Sequence, residues 1–469
     1  MAKKTEVQSP LQNSTQINCP VSKFFGNEYM DFSKYVISTR ACPSLIDGFK
    51  TGARKVMHAA FNGALKSGKA VKLLNLTGDT LKLSLYAHGD SSLSGTVITM
   101  AQDFQDNLNP LTIEGQYGSL RSPIASSPRY LYVKLSKYAN LIYKTDYELL
   151  KYVFDEGEYL EPQYYLPIIP TVLTSRNIGM APGYRFSTMS YNPIDITDTC
   201  INILKNQDFK SPRPYIRDIK QSSWKFIIDN ESQTSYWENR GKWEYNVPKD
   251  KMIVTDLPYD QTFDSFEKLL NKAIEKGYIK DWLNYSEGNN INYEIVFEKG
   301  KLKKEIDKTD TKLPNKFKLI KKVPEDQLYV IDEHNKVKYF ETPNELIKYF
   351  VEFRLNIYND RKIQLLKVLN EKLKVNLELC KFISLIINNK LIINNRKKED
   401  IKKDLENYEL PEKLINTSLS KLTKEEYDSL QNECEEIKQK IEYITNTTTV
   451  DMYINDLNEL RKELEKDFK

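Results

Sequence analysis

Residues 115–135 read GQYGSLRSPIASSPRYLYVKL. The run Tyr130-Leu131-Tyr132-Val133-Lys134-Leu135 alternates in character and is rich in aromatic and β-branched side chains, which predicts a strand. The Ser/Pro/Ala segment 122–128 before it predicts a loop. Arg129 and Tyr130 therefore fall at a loop-to-strand junction. Two readings of the pair compete. One is an amphipathic tyrosine anchoring an exposed strand, in a chain that holds 30 tyrosines. The other is a tyrosine nucleophile with a cationic helper beside it.

The rest of the chain bounds the choice. Its 469 residues predict several domains, and 40% hydrophobic content supplies real cores. No window approaches 18 consecutive apolar residues, so no membrane span is expected. The N-terminus, MAKKTEVQSPLQNSTQINCP, has no apolar stretch of the kind a secretory leader needs and reads as a flexible polar lead-in. The cysteines (19, 42, 200, 380, 434) are scattered without a CxxC, which fits a reducing, cytoplasmic compartment. His58, His88 and His334 lack ligand spacing, which argues against zinc. Net charge is +4, unevenly placed: residues 1–80 carry 11 Lys/Arg against 5 Asp/Glu, and the remainder 58 against 60. A basic first section suggests a face for a polyanion, with a solvated charge surface as the plainer reading.

Upstream of the tyrosine, residues 29–62 predict helix, loop, helix. Tyr29, Met30, Phe32, Tyr35, Val36 and Ile37 form an apolar stripe. Pro43 and Asp47-Gly48 make a turn, and Val56, Met57, Ala59, Ala60 and Phe61 resume helical spacing. Lys50, Arg54 and Lys55 cluster at the start of the second helix, where the dipole disfavours cations, and phosphate is the natural compensator. His88-Gly89-Asp90 reads as a turn, with Ser91-Ser92 as caps of a helix whose small N-terminal residues can enter a major groove.

RACPSLIDGFKTGARKVMHAA (40–60), YAHGD (86–90), GQYGS (115–119) and PRY (128–130) occur in an order and spacing that resemble the breakage-reunion polypeptide of type IIA DNA topoisomerases. This is the family of gyrase A and the topoisomerase IV A subunit. The likeness is strongest to its short bacteriophage members, which lack the gyrase-type DNA-wrapping domain. It continues through QYYLPIIPTVLTSRNIGMAPGY (163–184), SYWENRGKWEY (235–245), MIVTDLPYDQTFDSFEKLL (252–270) and LIKYFVEFRLNIYNDRKIQLL (346–366).

The resemblance implies that Tyr130 attacks a DNA phosphate and forms a transient 5′-phosphotyrosyl link, with Arg129 beside it and His88 and Arg40 around the scissile phosphate. It implies backbone contacts from Lys50, Arg54 and Lys55, a groove-facing helix over Ser91–Val97 including Ser92, a DNA contact at Gln116, and a base-step wedge at Met180. Three departures stand out. Ala53 replaces a gyrase A histidine, the 86–88 segment has one histidine where relatives often have two, and Met180 replaces an isoleucine. Methionine is apolar and flexible enough to wedge.

The chemistry needs these residue types. A tyrosine with a pKa near 10 is only about a thousandth ionised at pH 7. Arginines stay charged and donate paired hydrogen bonds to phosphate oxygens. A histidine can donate to a non-bridging oxygen as charge builds. Metal would act as a Lewis acid at the leaving 3′ oxygen. No acidic cluster suited to metal and no GxxxxGK[ST] loop is found. The resemblance therefore implies that Mg2+ and ATP are bound by a partner, a large subunit with TOPRIM and ATPase modules, with or without a small one.

The expected fold is mixed α/β and mainly helical: a flexible lead at 1–24, a winged-helix (helix-turn-helix) breakage-reunion domain at 25–165, an α/β tower at 166–341, and coiled-coil arms with a C-terminal dimerisation gate at 342–469. Strands are expected at 243–247, 252–257, 293–297 and 328–331, and a helix at 262–275. Leu346, Phe350, Phe353, Ile357, Ile363, Leu366, Leu369 and Leu373 predict a long helix or pair, and 375–450 a homodimer contact. The partners expected are double-stranded DNA, a second copy and the ATPase/TOPRIM subunit. The competing reading is a non-catalytic coiled-coil DNA-binding protein of the same fold.

Overall fold

The computed structural model describes residues 19–468 except 221–222, 230–233, 289, 307–309, 325–327, 389, 393–395, 397, 417 and 419–422. The lead-in expected at 1–24 thus lies outside the described residues as far as residue 18. From there the chain forms α1 (Val21–Gly26) and α2 (Glu28–Val36), then a π-helical turn at Ile37–Ala41. After the 42–50 loop come α3 (Thr51–Asn62), β1 (Val71–Lys72), α4 (Leu73–Leu83), α5 (Asp90–Ala101), β2 (Leu111–Glu114) and β3 (Tyr132–Leu135). The alternation at 130–135 behaves as predicted: Leu131 and Val133 are fully buried while Tyr130 and Tyr132 are exposed. β3 is the centre of an antiparallel sheet of order β1-β3-β2, with Val133 opposite both Val71 and Ile113. Ser136 then caps α6 (Lys137–Tyr143) by accepting from the Tyr138 and Ala139 amides.

Two hairpins follow, β4 (Tyr152–Asp155) with β5 (Glu158–Pro162), and β6 (Asn177–Ala181) with β7 (Tyr184–Thr188). α7 (Pro193–Leu204) opens on an Asn192 cap with Pro193 at its first turn. One core runs through all of this. It joins Leu45, Val56, Leu93 and Val133 to Ile169, Val172, Tyr191 and Cys200, and to Tyr453, Leu457 and Leu464 near the C-terminus. The sequence boundary at 166 therefore does not separate cores: residues 166–224 pack with the N-terminal section.

A second core covers Met252 to Leu319. Around it lie β10 (Lys242–Asn246), β11 (Lys251–Asp256), α8 (Phe263–Glu275), β12 (Asp281–Asn284), β13 (Tyr293–Val296), α9 (Lys301–Glu305) and α10 (Lys312–Lys316), whereas β8 (Trp224–Asp229), β9 (Thr234–Arg240) and β14 (Ile320–Pro324) place Trp224, Trp237 and Val323 against the first core. The sheets are ordered β10-β11-β13-β12 and β14-β9-β8. Thr262 and Ser265 form a reciprocal capping box on α8. Arg121 ties this unit to the first: its guanidinium donates to the Pro258, Gln261 and Leu257 carbonyls and to Asp256.

A last hairpin, β15 (Leu328–Ile331) with β16 (Val337–Phe340), leads into α11 (Pro343–Ile387). α12 (Lys398–Asn407), α13 (Lys424–Asn446) and α14 (Thr449–Leu464) complete the chain. Lys362 reaches the Thr445 and Thr447 carbonyls, and Lys372 pairs with Glu433, so α11 and α13 run antiparallel. A small core of Phe382, Leu391, Ile401, Leu405, Leu410 and Leu414 closes the far end. The predicted stripe on α11 holds only in part. Leu346 and Phe350 are buried, but Ile363 is exposed. The turn between them instead buries Arg354, which pairs with Asp146, and Tyr358, which donates to Asp456 at 2.7 Å. No helix among the described residues is long and apolar enough to cross a membrane.

Candidate active site

Tyr130 ends a short 3-10 turn, Pro128–Tyr130, with its amide donating to the Ser127 carbonyl at 3.0 Å. Its side chain is 68% exposed, and Arg129 beside it is also exposed. Neither side chain has a hydrogen-bond, ion-pair or ring partner among the described residues. The loop before them is, by contrast, laced together. Gln102 Nε2 donates to the Tyr117 carbonyl (2.7 Å) and the Pro123 carbonyl (3.2 Å). The Ser126 amide and hydroxyl both donate to the Gln116 carbonyl, at 2.9 and 3.0 Å. Gln116 thus holds the loop through its backbone, leaving its side chain exposed.

The glycines of GQYGS have a steric reason. Gly118 sits at φ 92°, and a Cβ there would lie 2.7 Å from the Pro123 oxygen; Gly115 sits at φ 119°, with Leu131 Cδ2 at 2.9 Å from such an atom. The result is a braced strap that presents an unpartnered phenol and guanidinium to solvent.

Arg40 stands on the π-helical turn, a feature frequent at functional sites. Its Nη2 lies 3.5 Å from His88 Nε2, so these two predicted residues come together. The Arg40 guanidinium also lies over the Tyr35 ring at 5.2 Å, and its hydrogen bond to that phenol holds the Tyr35 pKa below the usual range. Sequence pattern marks Tyr35 only as part of an apolar stripe. Most of that stripe is not core: Tyr29, Met30, Phe32 and Tyr35 are exposed, and only Ile37 at its end is buried. His88 meets the Tyr86 ring edge-on at 5.4 Å.

α5 corrects two expectations. Ser91 and Ser92 do not cap it: Gly89 is the cap residue, and the Asp90 carboxylate accepts from the Ser91 amide at 2.8 Å. Ser91 and Ser92 are exposed, whereas Leu93, Ser94 and Val97 are buried, so only part of Ser91–Val97 faces outward.

The basic cluster on α3 is corrected more strongly. Arg54 donates from Nε to Asp47 Oδ2 (2.7 Å) and from Nη2 to Asp47 Oδ1 (3.0 Å). Burial works against its charge, but Asp47 and the more distant Glu161 outweigh that and raise its pKa. Lys55 donates to Glu161 (2.9 Å) and the Ser84 carbonyl (2.5 Å). Arg54 and Lys55 thus have carboxylates of the chain itself as counter-charges. Lys50 donates to the Ile178 carbonyl at 3.2 Å. Its ammonium supports the β6–β7 hairpin, and burial lowers its pKa against the opposing effect of Cys42.

That hairpin carries Met180, 78% exposed, and Ile178, also exposed, two residues apart on one face of β6. The sequence singles out Met180 alone, because only the strand alternation puts Ile178 on the same face. Gly179 between them is pressed against the π-helical turn: a Cβ there would lie 2.3 Å from the Ala41 oxygen. The hairpin and Arg40 thus share a backbone contact.

Comparison with known proteins places this arrangement. The solved Plasmodium falciparum topoisomerase II DNA-binding, cleavage and re-ligation domain superposes with a TM-score of 0.83 and 27% identity, over 95% of this chain and 65% of that one. The mitochondrial DNA topoisomerase 2 of Dictyostelium discoideum is 30% identical over 99% of this chain and 36% of its own length. The mimivirus DNA topoisomerase 2 is 26% identical over 90% of this chain and 39% of its own. The fold is therefore that of a type II topoisomerase cleavage domain. The family model for the DNA gyrase/topoisomerase IV A subunit matches residues 40–461, and the chain belongs to that family. It spans roughly a third of the curated relatives' length.

Proposed function

We propose that this chain breaks and rejoins double-stranded DNA as part of an ATP-dependent type II topoisomerase, and that Tyr130 is its nucleophile. The observation that carries this reading is the exposed, unpartnered Tyr130–Arg129 pair on a braced strap. In the reaction the Tyr130 phenol loses its proton to solvent as its oxygen attacks phosphorus, the bond to the 3′ oxygen breaks, and that oxygen takes up a proton to leave as a hydroxyl. Arg129 and Arg40 hold the phosphate oxygens and His88 donates to one of them. Attack by the 3′ hydroxyl reverses the step and releases the phenol. The ester keeps the bond energy, so rejoining needs no ATP. Met180 and Ile178 wedge a base step and bend the duplex.

In this reading residues 25–165 hold the winged-helix unit, the tower beside the DNA is the unit built on the Met252–Leu319 core, and 342–469 form coiled-coil arms that dimerise through 375–450. Among the described residues no three carboxylate, imidazole or thiol groups converge to hold a cation. Mg2+ and ATP belong to a TOPRIM/ATPase partner, and the exposed apolar face of α1 and α2, continuous with the turn bearing Arg40, is where that partner would dock. Cleavage with the cognate partner tests the proposal: Tyr130→Phe is expected to abolish the covalent 5′ adduct. Adduct at the parent level in that variant would put the nucleophile at another residue, and no adduct from the parent chain with its partner would leave the non-catalytic DNA-binding reading in its place.

A further inference from the structure

The β4–β5 hairpin has no role in the chemistry above, yet it is built with care. Glu156 (φ 47°) and Gly157 (φ 88°) form a two-residue turn with both φ positive, the type that suits strand twist. The Asp155 carboxylate accepts from the Glu156 amide at 3.0 Å. Phe154 and Tyr159 are direct cross-strand partners with ring centroids 5.1 Å apart, and they are 62% and 75% exposed. Asp155 and Glu158 form the next cross-strand pair, on the opposite face of the ribbon, and Glu156 stands in the turn; all three are exposed and without an ion pair among the described residues.

The ribbon is fixed at its root. Glu161 pairs with Lys55 on α3, the Tyr152 ring meets His58 edge-on at 6.3 Å, and the Gln163 amide donates to the Lys151 carbonyl at 2.7 Å. Beside that root lies a cavity of about 310 Å3 whose lining includes Leu149, Leu150, Tyr164 and Ile357, with Lys151 and Asp360 as its charged residues.

We propose that this hairpin is a docking edge for an extended, arginine- or lysine-bearing segment of another protein. Charge decides the occupant. Three exposed carboxylates at the turn end of the ribbon, none in an ion pair among the described residues, repel a phosphate backbone. The same carboxylates and two exposed ring faces attract a guanidinium or ammonium. Leu160, Glu161 and Pro162 of β5 are buried, whereas β4 pairs with β5 alone among the described residues, so the outer edge of β4 is where a further strand can add. The cavity at the root takes an apolar side chain of the same segment, between Lys151 and Asp360.

The test uses the full chain and a fluorescein-labelled extended peptide of alternating threonine and valine carrying one leucine and two arginines, read by anisotropy. Phe154→Ala/Tyr159→Ala is expected to weaken binding about tenfold, as is Asp155→Asn/Glu156→Gln/Glu158→Gln at low salt. Both sets are at exposed positions, and circular dichroism checks the fold. Tyr130→Phe must leave peptide binding unchanged, which separates this surface from the cleavage reading. No binding by the parent chain, binding kept within twofold by the aromatic variant, or loss of duplex binding in either variant would each overturn the proposal.

Discussion

Replacing Asp47 with alanine strands four donors at once. The Asp47 carboxylate, fully buried, accepts from Arg54 Nε and Nη2, from the Phe49 amide at 3.1 Å and from the Tyr165 amide at 3.0 Å. Removing one member of a buried ion pair costs about 3–5 kcal/mol, because the remaining charge is left uncompensated. Two orphaned backbone amides add about 1 kcal/mol each at the low end. A loss of about 5 kcal/mol is comparable to the whole stability of many domains. The core containing Val56, Leu93, Tyr165 and Val172 is therefore expected to lose its cooperative melting transition.

Calorimetry of the full chain reads this directly, with the Met252–Leu319 core as the internal reference. The double variant Asp47→Ala/Arg54→Met supplies the control: with no charge left buried, it is expected to recover about 2 kcal/mol relative to Asp47→Ala. An Asp47→Ala loss below about 1 kcal/mol, or strict additivity in the double variant, would refute the assignment of Arg54 to an internal pair.

Further outcomes are expected around the site. Gly179→Ala drives a Cβ into the Ala41 carbonyl and should cost about 1–3 kcal/mol while reducing cleavage more than duplex binding, measured as adduct yield against Kd. Met180→Ala and Ile178→Ala should each change stability by less than about 0.5 kcal/mol, because both side chains are exposed, yet lower the DNA bend measured by end-to-end energy transfer. Burial holds His58 below its usual pKa, with Glu161 opposing and Lys55 adding. The unfolded chain then binds the proton first, so stability is full above about pH 6.5 and falls as pH drops toward the folded value. His58→Gln should flatten that fall in urea midpoints, and an equal fall in the variant would show that another group is responsible.

What the sequence shows well is periodicity and turn chemistry. The Leu131/Val133 alternation, the strands at 252–257 and 293–297, and the 262–275 helix are local patterns, and each is present. Gly115 and Gly118 are legible as a motif but not as a reason. That reason, contact with Leu131 and Pro123, needs the loop closed. Partnership is not legible at all. Arg354 falls on a helix whose pattern is an amphipathic stripe, and its burial depends on Asp146, 208 residues away in sequence. The same blindness puts Tyr35 in an apolar stripe when its ring lies beneath Arg40.

The internally paired cations bear on how the chain grips DNA. Residues 1–80 carry 11 Lys/Arg, and a count that sends every one to phosphate gives a salt slope of about −10 in log K against log salt. Lys50, Arg54 and Lys55 are held by Ile178, Asp47 and Glu161. With eight cations left, the ceiling for this section falls to about −7. Arg40 and Arg129 are exposed, and neither is held by a carboxylate among the described residues, so Arg40→Gln and Arg129→Gln should each make the slope shallower by about 1. Lys55→Met should instead leave the slope as it is and lower stability, because it strands the buried Glu161. A folded Lys55→Met protein with a slope shallower by a full unit would mean that Lys55 exchanges Glu161 for phosphate when DNA binds.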